Sequence, residues 1–424
     1  MMPAIVTIRV FTPFALGYLL VSIFRSINAV IAPDIVRDFG LSAAELAFAV
    51  SAMYWCGIIL QLPYGMLLDR YDSRRVYASV LLLSALGAVI TGLAHGIIML
   101  SLGRMLLGLG VTASAVTAYR VNATWFAPER LPLANGLSLA AGGFGTMAGT
   151  VPVELALQIV DWRIIHLVLG AMLVATAALV PIMVPNKAFD KTGATVSQQV
   201  KGLGGIVLSM RFWRIAPMLA VLGGTFGAFN TLWAGYWLRD VAGLSRLDAA
   251  NLLLVLTAAF TVAGLSTGTL TIIANRVGLP LMELVVATTG LFTLVLIILF
   301  AQWTPSPLVV AATWAAFGFT AALSFGTYAA LAPQFAPNLT GRLNACLTLA
   351  WMLGAFLIQN IYAAVLNLFP ATKDGYSIEG HRVGMALLIV LATIAMGWFL
   401  LSTNLARRLK MADQAPARLP GNAS

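Results

Sequence analysis

Twelve long apolar runs, separated by short polar segments, constrain this chain more than any other feature of its sequence. Sixty per cent of its 424 residues are hydrophobic and 9% are charged, whereas a soluble domain carries about 25% charged residues. One helical crossing of a bilayer needs about 20 apolar residues. We therefore predict an all-α protein embedded in a lipid bilayer. The predicted spans 1 to 12 are residues 10–32, 43–68, 76–95, 98–125, 132–159, 162–184, 213–238, 249–274, 280–301, 307–332, 343–368 and 383–403.

The placement of lysine and arginine predicts the orientation, because these residues are enriched in cytoplasmic loops. If the N-terminus lies inside, inner segments hold 16 of the 25 lysines and arginines and outer segments hold six; three more, Arg25, Arg104 and Arg120, lie within spans. We expect the protein to lie in a bacterial inner (plasma) membrane, with both of its termini in the cytoplasm. The first apolar run lacks a small-residue cleavage site, so we interpret it as a retained helix.

Other classes of function find little support in the sequence. The net charge of +10 does not indicate nucleic-acid binding, because the basic residues are scattered through short loops and form no patch with exposed aromatic residues. Cys56 and Cys346 lie in apolar runs without metal-ligating neighbours. No phosphate-cradling loop or nucleophile motif indicates catalysis. We therefore expect no cofactor, no metal and no enzymatic activity.

Two short matches at nearly equal offsets indicate an internal repeat. The tripeptide Phe-Ala-Pro at 126–128 recurs at 335–337, and Asn-Arg at 275–276 stands where Asp-Arg stands at 69–70. Matches in equivalent loops favour two parallel repeats of six helices. We predict an N-terminal bundle at 1–184, a cytoplasmic linker at 185–212, a C-terminal bundle at 213–403 and a cytoplasmic tail at 404–424.

The loop after span 2 carries the most specific motif. Residues 65–75 read Gly-Met-Leu-Leu-Asp-Arg-Tyr-Asp-Ser-Arg-Arg. This string resembles the motif Gly-x-x-x-Asp-Arg-x-Gly-Arg-Arg of the major facilitator superfamily, with Asp72 in place of the second glycine. The resemblance covers essentially the whole chain, and it implies a transporter with twelve helices in two pseudo-symmetric six-helix bundles. It also implies that the matching residues form a cytoplasmic gate: Gly65, Asp69, Arg70, Arg74 and Arg75.

Each arginine within a span needs a physical reason, since an arginine near the bilayer centre costs about 2.5–3.5 kcal/mol. The family resemblance implies that spans 1, 4, 7 and 10 line a central cavity, which makes Arg25 and the neighbouring Asn28 candidates for substrate binding. Arg25 either binds an oxyanion or pairs with Glu154 or with backbone carbonyls. Arg120 either completes an anion site or inner gate, or extends to the cytoplasmic interface. Arg104 resembles the family's helix-4 arginine, which implies proton coupling or a structural contact between helices 1 and 4.

A carboxylate and a set of aromatic and amide side chains complete the candidate site. Glu154, the only carboxylate well inside a predicted span, either exchanges the coupling proton or forms a static ion pair with a buried arginine. The second half is rich in aromatic and amide groups, which suit an organic anion with an apolar body. We assign Trp237, near a span end, to the membrane interface. The substrate-binding candidates of this half are Asn230, Trp233, Tyr328 and Gln359.

These features predict a secondary active transporter that moves a small organic anion or amino-acid-like metabolite by alternating access, as a symport with protons. Two alternatives stay open. The first alternative is a proton-driven exporter of a metabolite, siderophore or drug. The second is a receptor or scaffold of the same fold that transports nothing. Its expected partners are the small-molecule substrate, a coupling proton and the lipid bilayer, and we expect a monomer.

Overall fold

The computed structural model describes residues 4–185, 203–278, 281–304, 306–336, 339–372 and 375–413. Within these ranges, side chains are described except at residues 4–7, 62, 69, 128, 132, 271, 275, 281, 329 and 404–413. Most of the predicted linker and part of the predicted tail therefore lie outside the described residues. The described part is helical and contains no strand.

Eleven of the described helices are long and apolar enough to cross a bilayer, and the remaining span is divided into two shorter helices. The predicted fold of twelve membrane helices is thus confirmed. The spans are Ala4–Ser26 with Asn28–Phe39 (1), Ala43–Arg70 (2), Ser73–Gly92 (3), Ile97–Trp125 (4), Leu131–Ala148 with Val151–Leu157 (5), Trp162–Met183 (6), Met210–Ala228 with a π-helical turn Phe229–Trp233 and Ala234–Asp240 (7), Arg246–Arg276 (8), Leu281–Phe300 (9), Pro307–Ser324 with Gly326–Leu331 (10), Thr340–Leu366 (11) and Ile378–Asp413 (12).

Span 5 is divided because a proline interrupts its hydrogen bonding. Pro152 has no N–H to donate, and its ring would clash with the carbonyl four residues earlier in a continuous helix. Thr150, at the break, has φ −108° and ψ −107°, which is not helical. The second piece therefore starts afresh at Val151 and carries Glu154 in its first turn.

Span 1 is longer than its apolar run predicts. The predicted boundary at residue 32 is wrong, because a second helical piece runs to Phe39 and ends at Gly40, whose φ of +63° forms a left-handed C-cap. Glycine adopts this conformation without steric cost. As a consequence, Asp34 and Arg37 lie on a helix and not in a loop.

Small residues allow close helix crossings within each half. In the first half, Gly145 lies against the carbonyl of Leu19, and Gly149 lies against Ser26. In the second half, Gly354 of span 11 lies against the carbonyl of Ala220. Backbones can approach this closely only where no Cβ intervenes, and such contacts drive helix association in a bilayer.

The two halves meet where spans 1, 2 and 5 face spans 7, 8 and 11. We call the end that holds the loops after spans 1, 7 and 11 the outer end, following the predicted topology. Near it, Gln359 Nε2 donates to the Ala47 carbonyl and Asn360 Nδ2 donates to Ser51 Oγ, both at 3.0 Å. Toward the opposite end of the same spans, Gly65 has no atom within 4 Å of where a Cβ would stand. These two polar contacts between spans 2 and 11 thus lie near the outer end.

The assignment of Trp237 to the membrane interface is wrong. This side chain is 2% exposed, and its ring packs edge-on against Trp314 at 5.4 Å between centroids. The aromatic residues of spans 7 and 10 therefore form part of the protein core. Sequence periodicity cannot distinguish this arrangement from a lipid-facing ring, because both environments are apolar.

The substitution Gly145→Ala should destabilise the protein, because the new Cβ would overlap the Leu19 carbonyl, a backbone group that cannot move without shifting span 1. Overpacking of this kind costs about 1–3 kcal/mol. Gly268→Ala is the matched control, since nothing lies within 4 Å of that position and alanine favours a helix by up to about 1 kcal/mol. Thermal unfolding in one detergent compares them. Equal unfolding temperatures for the two variants would contradict the packing.

Candidate functional site

Arg25 is a membrane-embedded cation whose hydrogen bonding is incomplete. It lies in the last turn of the first piece of span 1, just before the helix is interrupted at Ile27. Its half-buried guanidinium donates from Nη2 to Thr146 Oγ1 at 3.3 Å, while its buried Nε has no partner. Among the described residues, no carboxylate forms an ion pair with it. The charge of Arg25 is therefore available to an anion.

Polar groups without partners surround this arginine. Tyr18 is half-buried and Tyr54 is buried, and both lie close enough to Arg25 to experience its charge. The hydroxyl of Tyr54 lies near the side chain of Thr231 but forms no well-aligned hydrogen bond in the described part of the chain, and it stands beside Gly227 of span 7. One turn further along, Asn230 presents a buried Oδ1 that also lacks a partner. Buried polar atoms are normally hydrogen-bonded, so these atoms indicate a site that a polar ligand or water completes.

A π-helical turn in span 7 positions the second wall of the site. Such turns are rare and occur often at functional sites. Thr231 Oγ1 donates to Gln359 Oε1 at 2.9 Å, and Trp233 Nε1 donates to the Gln359 carbonyl at 3.1 Å. With the bond from Gln359 to Ala47, these contacts join spans 7, 11 and 2. In this conformation the polar groups of Trp233 and Gln359 serve that tether, and their contact with substrate stays a prediction.

The other predicted contacts lie at two different depths. Asn28 is buried beside Arg25, where its Nδ2 donates to the Phe24 and Arg25 carbonyls and its Oδ1 has no partner in the described part. Tyr328 and Arg120 lie further toward the inner ends of spans 10 and 4, and both are half-buried. The structure therefore places Asn28 beside Arg25 and Asn230 one turn from Gly227, which lies beside Tyr54, while Arg120 and Tyr328 lie nearer the inner ends of their own spans.

A cluster of charges joins the two halves at the outer end. Arg246, the first residue of span 8, donates from Nη1 and Nη2 to the two oxygens of Asp34 at 3.0 and 2.7 Å. Its Nε lies 3.2 Å from Glu154 Oε1. Both acids are buried and belong to the first half. We call these three residues, Asp34, Glu154 and Arg246, the outer gate, because their ion pairs bridge the interface.

The sequence pointed to only one of the three outer-gate residues as a functional candidate. Glu154 is a candidate from the sequence, whereas Arg246 counts only as one of the six outer basic residues and Asp34 carries no prediction, because both lie beyond the predicted spans. Both fall on helices that extend past the hydrocarbon-length segment. The available signal was that Asp34 follows Pro33 within a helix-compatible stretch ending in a glycine cap.

Arg104 lies apart from both clusters. It is fully buried in span 4, and its three guanidinium nitrogens have no hydrogen-bond partner within the described ranges. His166 of span 6 is close enough to experience its charge, and the Nδ1 of that histidine lies 2.9 Å from the Trp162 carbonyl. Arg104 forms no ion pair with Glu154. Its role in proton coupling stays a prediction.

The loop after span 2 is fastened to its own half. Arg74 lies 2.6 Å from Asp72 Oδ2 and donates to the Val184 carbonyl at 2.9 Å. Burial raises the pKa of Asp72, but the hydrogen bonds and charge of Arg74 outweigh it and lower the pKa below its usual value. Asp72 also accepts from the Arg74 N–H as N-cap of span 3, which gives this departure from the motif a structural reason.

The gate predicted for this loop is not tested by these contacts. The side chain of Asp69 lies outside the described ones. Arg70 and Arg75 are exposed, and Gly65 is half-buried with open space beside it. The role of these residues and of Arg74 as a cytoplasmic gate stays a prediction.

The outer gate yields a direct prediction. Asp34→Asn removes the charge that Arg246 and Arg37 share, and hydrogen bonds to charged groups contribute about 1.5–3 kcal/mol. The population with a separated outer end should therefore rise about tenfold or more. Spin labels at Ile159 and Leu368, which are 86% and 79% exposed on opposite halves, report this as longer distances in pulsed electron paramagnetic resonance.

In the protein used for spin labelling, both native cysteines are replaced by serine; both are buried. Glu379→Gln is the control, because Glu379 is exposed and its ion pair with Arg382, at 3.9 Å, lies within the second half. An unchanged distance distribution in Asp34→Asn would show that the cluster does not hold the halves together.

Comparison with known proteins places this architecture in a family. The chain is 30% identical over 130 residues to a protein of Pseudomonas putida named "Probable galactarate/D-glucarate transporter", covering 29% of this chain and 28% of that protein. It is 35% identical over 119 residues to a nitrate/nitrite transporter of Picosynechococcus, covering 27% and 21%. The chain thus spans less than a third of the length of these relatives.

The fold also matches solved structures. A bacterial homologue of the human lysosomal transporter Spinster, in an inward-facing and unoccupied conformation, superposes with a TM-score of 0.74 at 17% identity, over 95% of this chain and 98% of that one. The model of the Major Facilitator Superfamily matches residues 14–359. Twelve helices in two bundles, the motif at 65–75 and this match lead to one conclusion: the chain belongs to the major facilitator superfamily.

Proposed function

We propose that this protein is a secondary active transporter that carries a small organic anion by alternating access, in symport with protons. The observation that carries the proposal is Arg25, a half-buried cation midway along the interface that no described carboxylate neutralises. A guanidinium offers a planar fork of donors that matches a carboxylate or sulfonate. The nearby hydroxyl of Tyr54 and amide of Asn230 supply further hydrogen bonds to such a ligand.

The relatives support an anionic substrate. The names of the two relatives specify a sugar diacid and nitrate or nitrite, which differ in size and share negative charge. A site built around one cation and several neutral polar groups accommodates such variety, because the cation supplies affinity and the neutral groups supply selectivity. On the basis of these two relatives we propose that the substrate is negatively charged. Its carbon skeleton has to be identified by experiment.

The outer gate supports alternating access and proton coupling. Opening the outer end separates Arg246 from Asp34 and Glu154. Glu154 then faces the interface without its cation, and protonation removes the cost of leaving that carboxylate charged and unpaired. A proton that enters from outside would thus stabilise the outward-open state in which the anion also binds.

The substrate site can be tested by transport. Native protein in proteoliposomes with an acidic exterior should accumulate at least one labelled anion from a panel of sugar acids, small carboxylates and sulfonates. Arg25→Ala should abolish this uptake, because the anion loses the guanidinium at the centre of the proposed site, and Arg25→Lys should retain part of it. Equal uptake by native protein and Arg25→Ala would overturn the assignment of the anion to Arg25.

Proton coupling can be tested at Glu154. The variant Glu154→Gln should still exchange external for internal anion at equal concentrations, but an imposed proton gradient should no longer drive accumulation. Glu379→Gln, an exposed acid at the same end, should behave as native. If Glu154→Gln abolishes transport while Arg25→Ala spares it, export becomes the better proposal. If the native protein moves none of the anions, a role without transport leads.

A further inference from the structure

A second cleft lies directly outside the outer gate. It encloses about 730 Å³ between the two halves, within the range of small-molecule sites, which is about 300–1,000 Å³. The ends of spans 1 and 2 form one wall, and spans 7, 8 and 11 with the loop after span 11 form the other. The gate residues Asp34 and Arg246 lie in its floor. Arg25 is not among the residues that line this cleft, so the cleft is distinct from the candidate site around Arg25.

The described residues of this cleft carry an excess of positive charge. Three arginines line it, and Asp34 is the one acid among its described lining residues. That carboxylate is already shared, since Arg37 lies 3.1 Å and Arg246 2.7 Å from its oxygens. Lys373 and Asp374, in the loop after span 11 and outside the described residues, have opposite charges in the sequence. The cleft thus attracts anions.

Arg239 forms no ion pair with a carboxylate in the described part of the chain, although Glu154 lies near enough to interact with its charge. Its Nε donates to the Gly235 carbonyl in its own helix at 3.3 Å, its guanidinium lies 4.8 Å from the centre of the Tyr236 ring, and its buried Nη2 has no partner in the described part. The adjacent Asp240 is engaged elsewhere, because its Oδ2 accepts from the Tyr376 N–H and lies 3.0 Å from His381 Nε2. A buried donor of this kind is costly unless an acceptor binds to it.

We propose that this cleft is an outer anion site, in which Arg239 and Arg246 bind the carboxylate or sulfonate of a small organic anion. The rings of Tyr236 and Tyr376, which also line the cleft, pack against the apolar part of the ligand. The inference rests on the proposed function, because it places an arriving anion outside the closed gate. An anion bound there competes with Asp34 for Arg246, and so weakens the gate that it must pass.

The test measures binding without transport. Benzoate is the probe and benzamide its neutral match, and saturation-transfer NMR follows both on the full chain in nanodiscs of zwitterionic lipid at low ionic strength. Native protein should bind benzoate and not benzamide. Arg239→Gln should weaken benzoate binding about tenfold, since one charge-assisted contact is lost. Arg239→Lys should stay within about threefold of native, because it keeps the charge.

Two controls separate this site from others. Arg382→Gln removes the same charge at the outer end, from a half-exposed residue outside the cleft, and should bind as native. Arg25→Ala should keep the benzoate binding that depends on Arg239. Four results would each overturn the outer site. Two concern Arg239: benzoate binding as tight as native in Arg239→Gln, or benzoate binding weakened as much in Arg239→Lys as in Arg239→Gln. The other two are equal binding of benzamide and benzoate by the native protein, and loss of all benzoate binding in Arg25→Ala.

Failure of this proposal is distinguishable from failure of the proposed function. Uptake is measured on the same preparations in proteoliposomes. An active transporter whose benzoate binding ignores Arg239 refutes the outer site alone. A protein that moves no anion, but binds benzoate through Arg239, refutes transport and leaves an anion-binding surface.

Discussion

An ionised side chain within a bilayer must be paired, hydrated or held for a ligand, and this requirement organises the interface between the two halves. Desolvating a charge without compensation is expensive, so two arginines at the same interface reveal different roles by their partners. Arg246 is held by two carboxylates at hydrogen-bonding distance. Arg25 meets one hydroxyl. The first arrangement holds helices together, whereas the second leaves the charge of Arg25 available to an anion.

Two kinds of contact join the halves: ion pairs and hydrogen bonds at the outer end, and close packing at glycines elsewhere along the interface. The outer gate and the hydrogen bonds of Gln359 and Asn360 are local and polar, and they can break as a group when the outer ends of spans 1, 2 and 5 separate from those of spans 8 and 11. Nearer the middle of the spans, Gly57 and Gly143 pack against Met352 and Thr261 of the opposite half. Close contacts through glycine carry few directional bonds, so they permit a change of angle at small cost. These contacts are compatible with the proposed alternating access, in which the two bundles would rock about the middle of the interface.

Sequence patterns predicted most of the fold and part of the site, for physical reasons that differ. Hydropathy located the twelve spans because apolar length is a property of each segment alone. It misplaced the end of span 1 and missed the break at Pro152 in span 5, because both depend on helix geometry beyond the apolar run. Arg25 was found because a charge inside a span is visible in one dimension. Asp34 and Arg246 meet across 212 residues of chain, and nothing in a single sequence joins them.

In the proposed function, the charges of the outer gate are what would couple the movement of an anion to that of a proton. Opening the gate leaves Asp34 and Glu154 on one half, and Arg246 and Arg239 on the other. Asp34 keeps a partner, because Arg37 lies on its own helix 3.1 Å away. Glu154 has no second cation in its own half among the described ion pairs, so a proton restores its neutrality. The arginines of the second half lose a carboxylate, and an incoming anion replaces it. Each ligand compensates a charge that the other cannot, so the open state is favoured most when both are bound, and this mutual dependence is the thermodynamic content of symport.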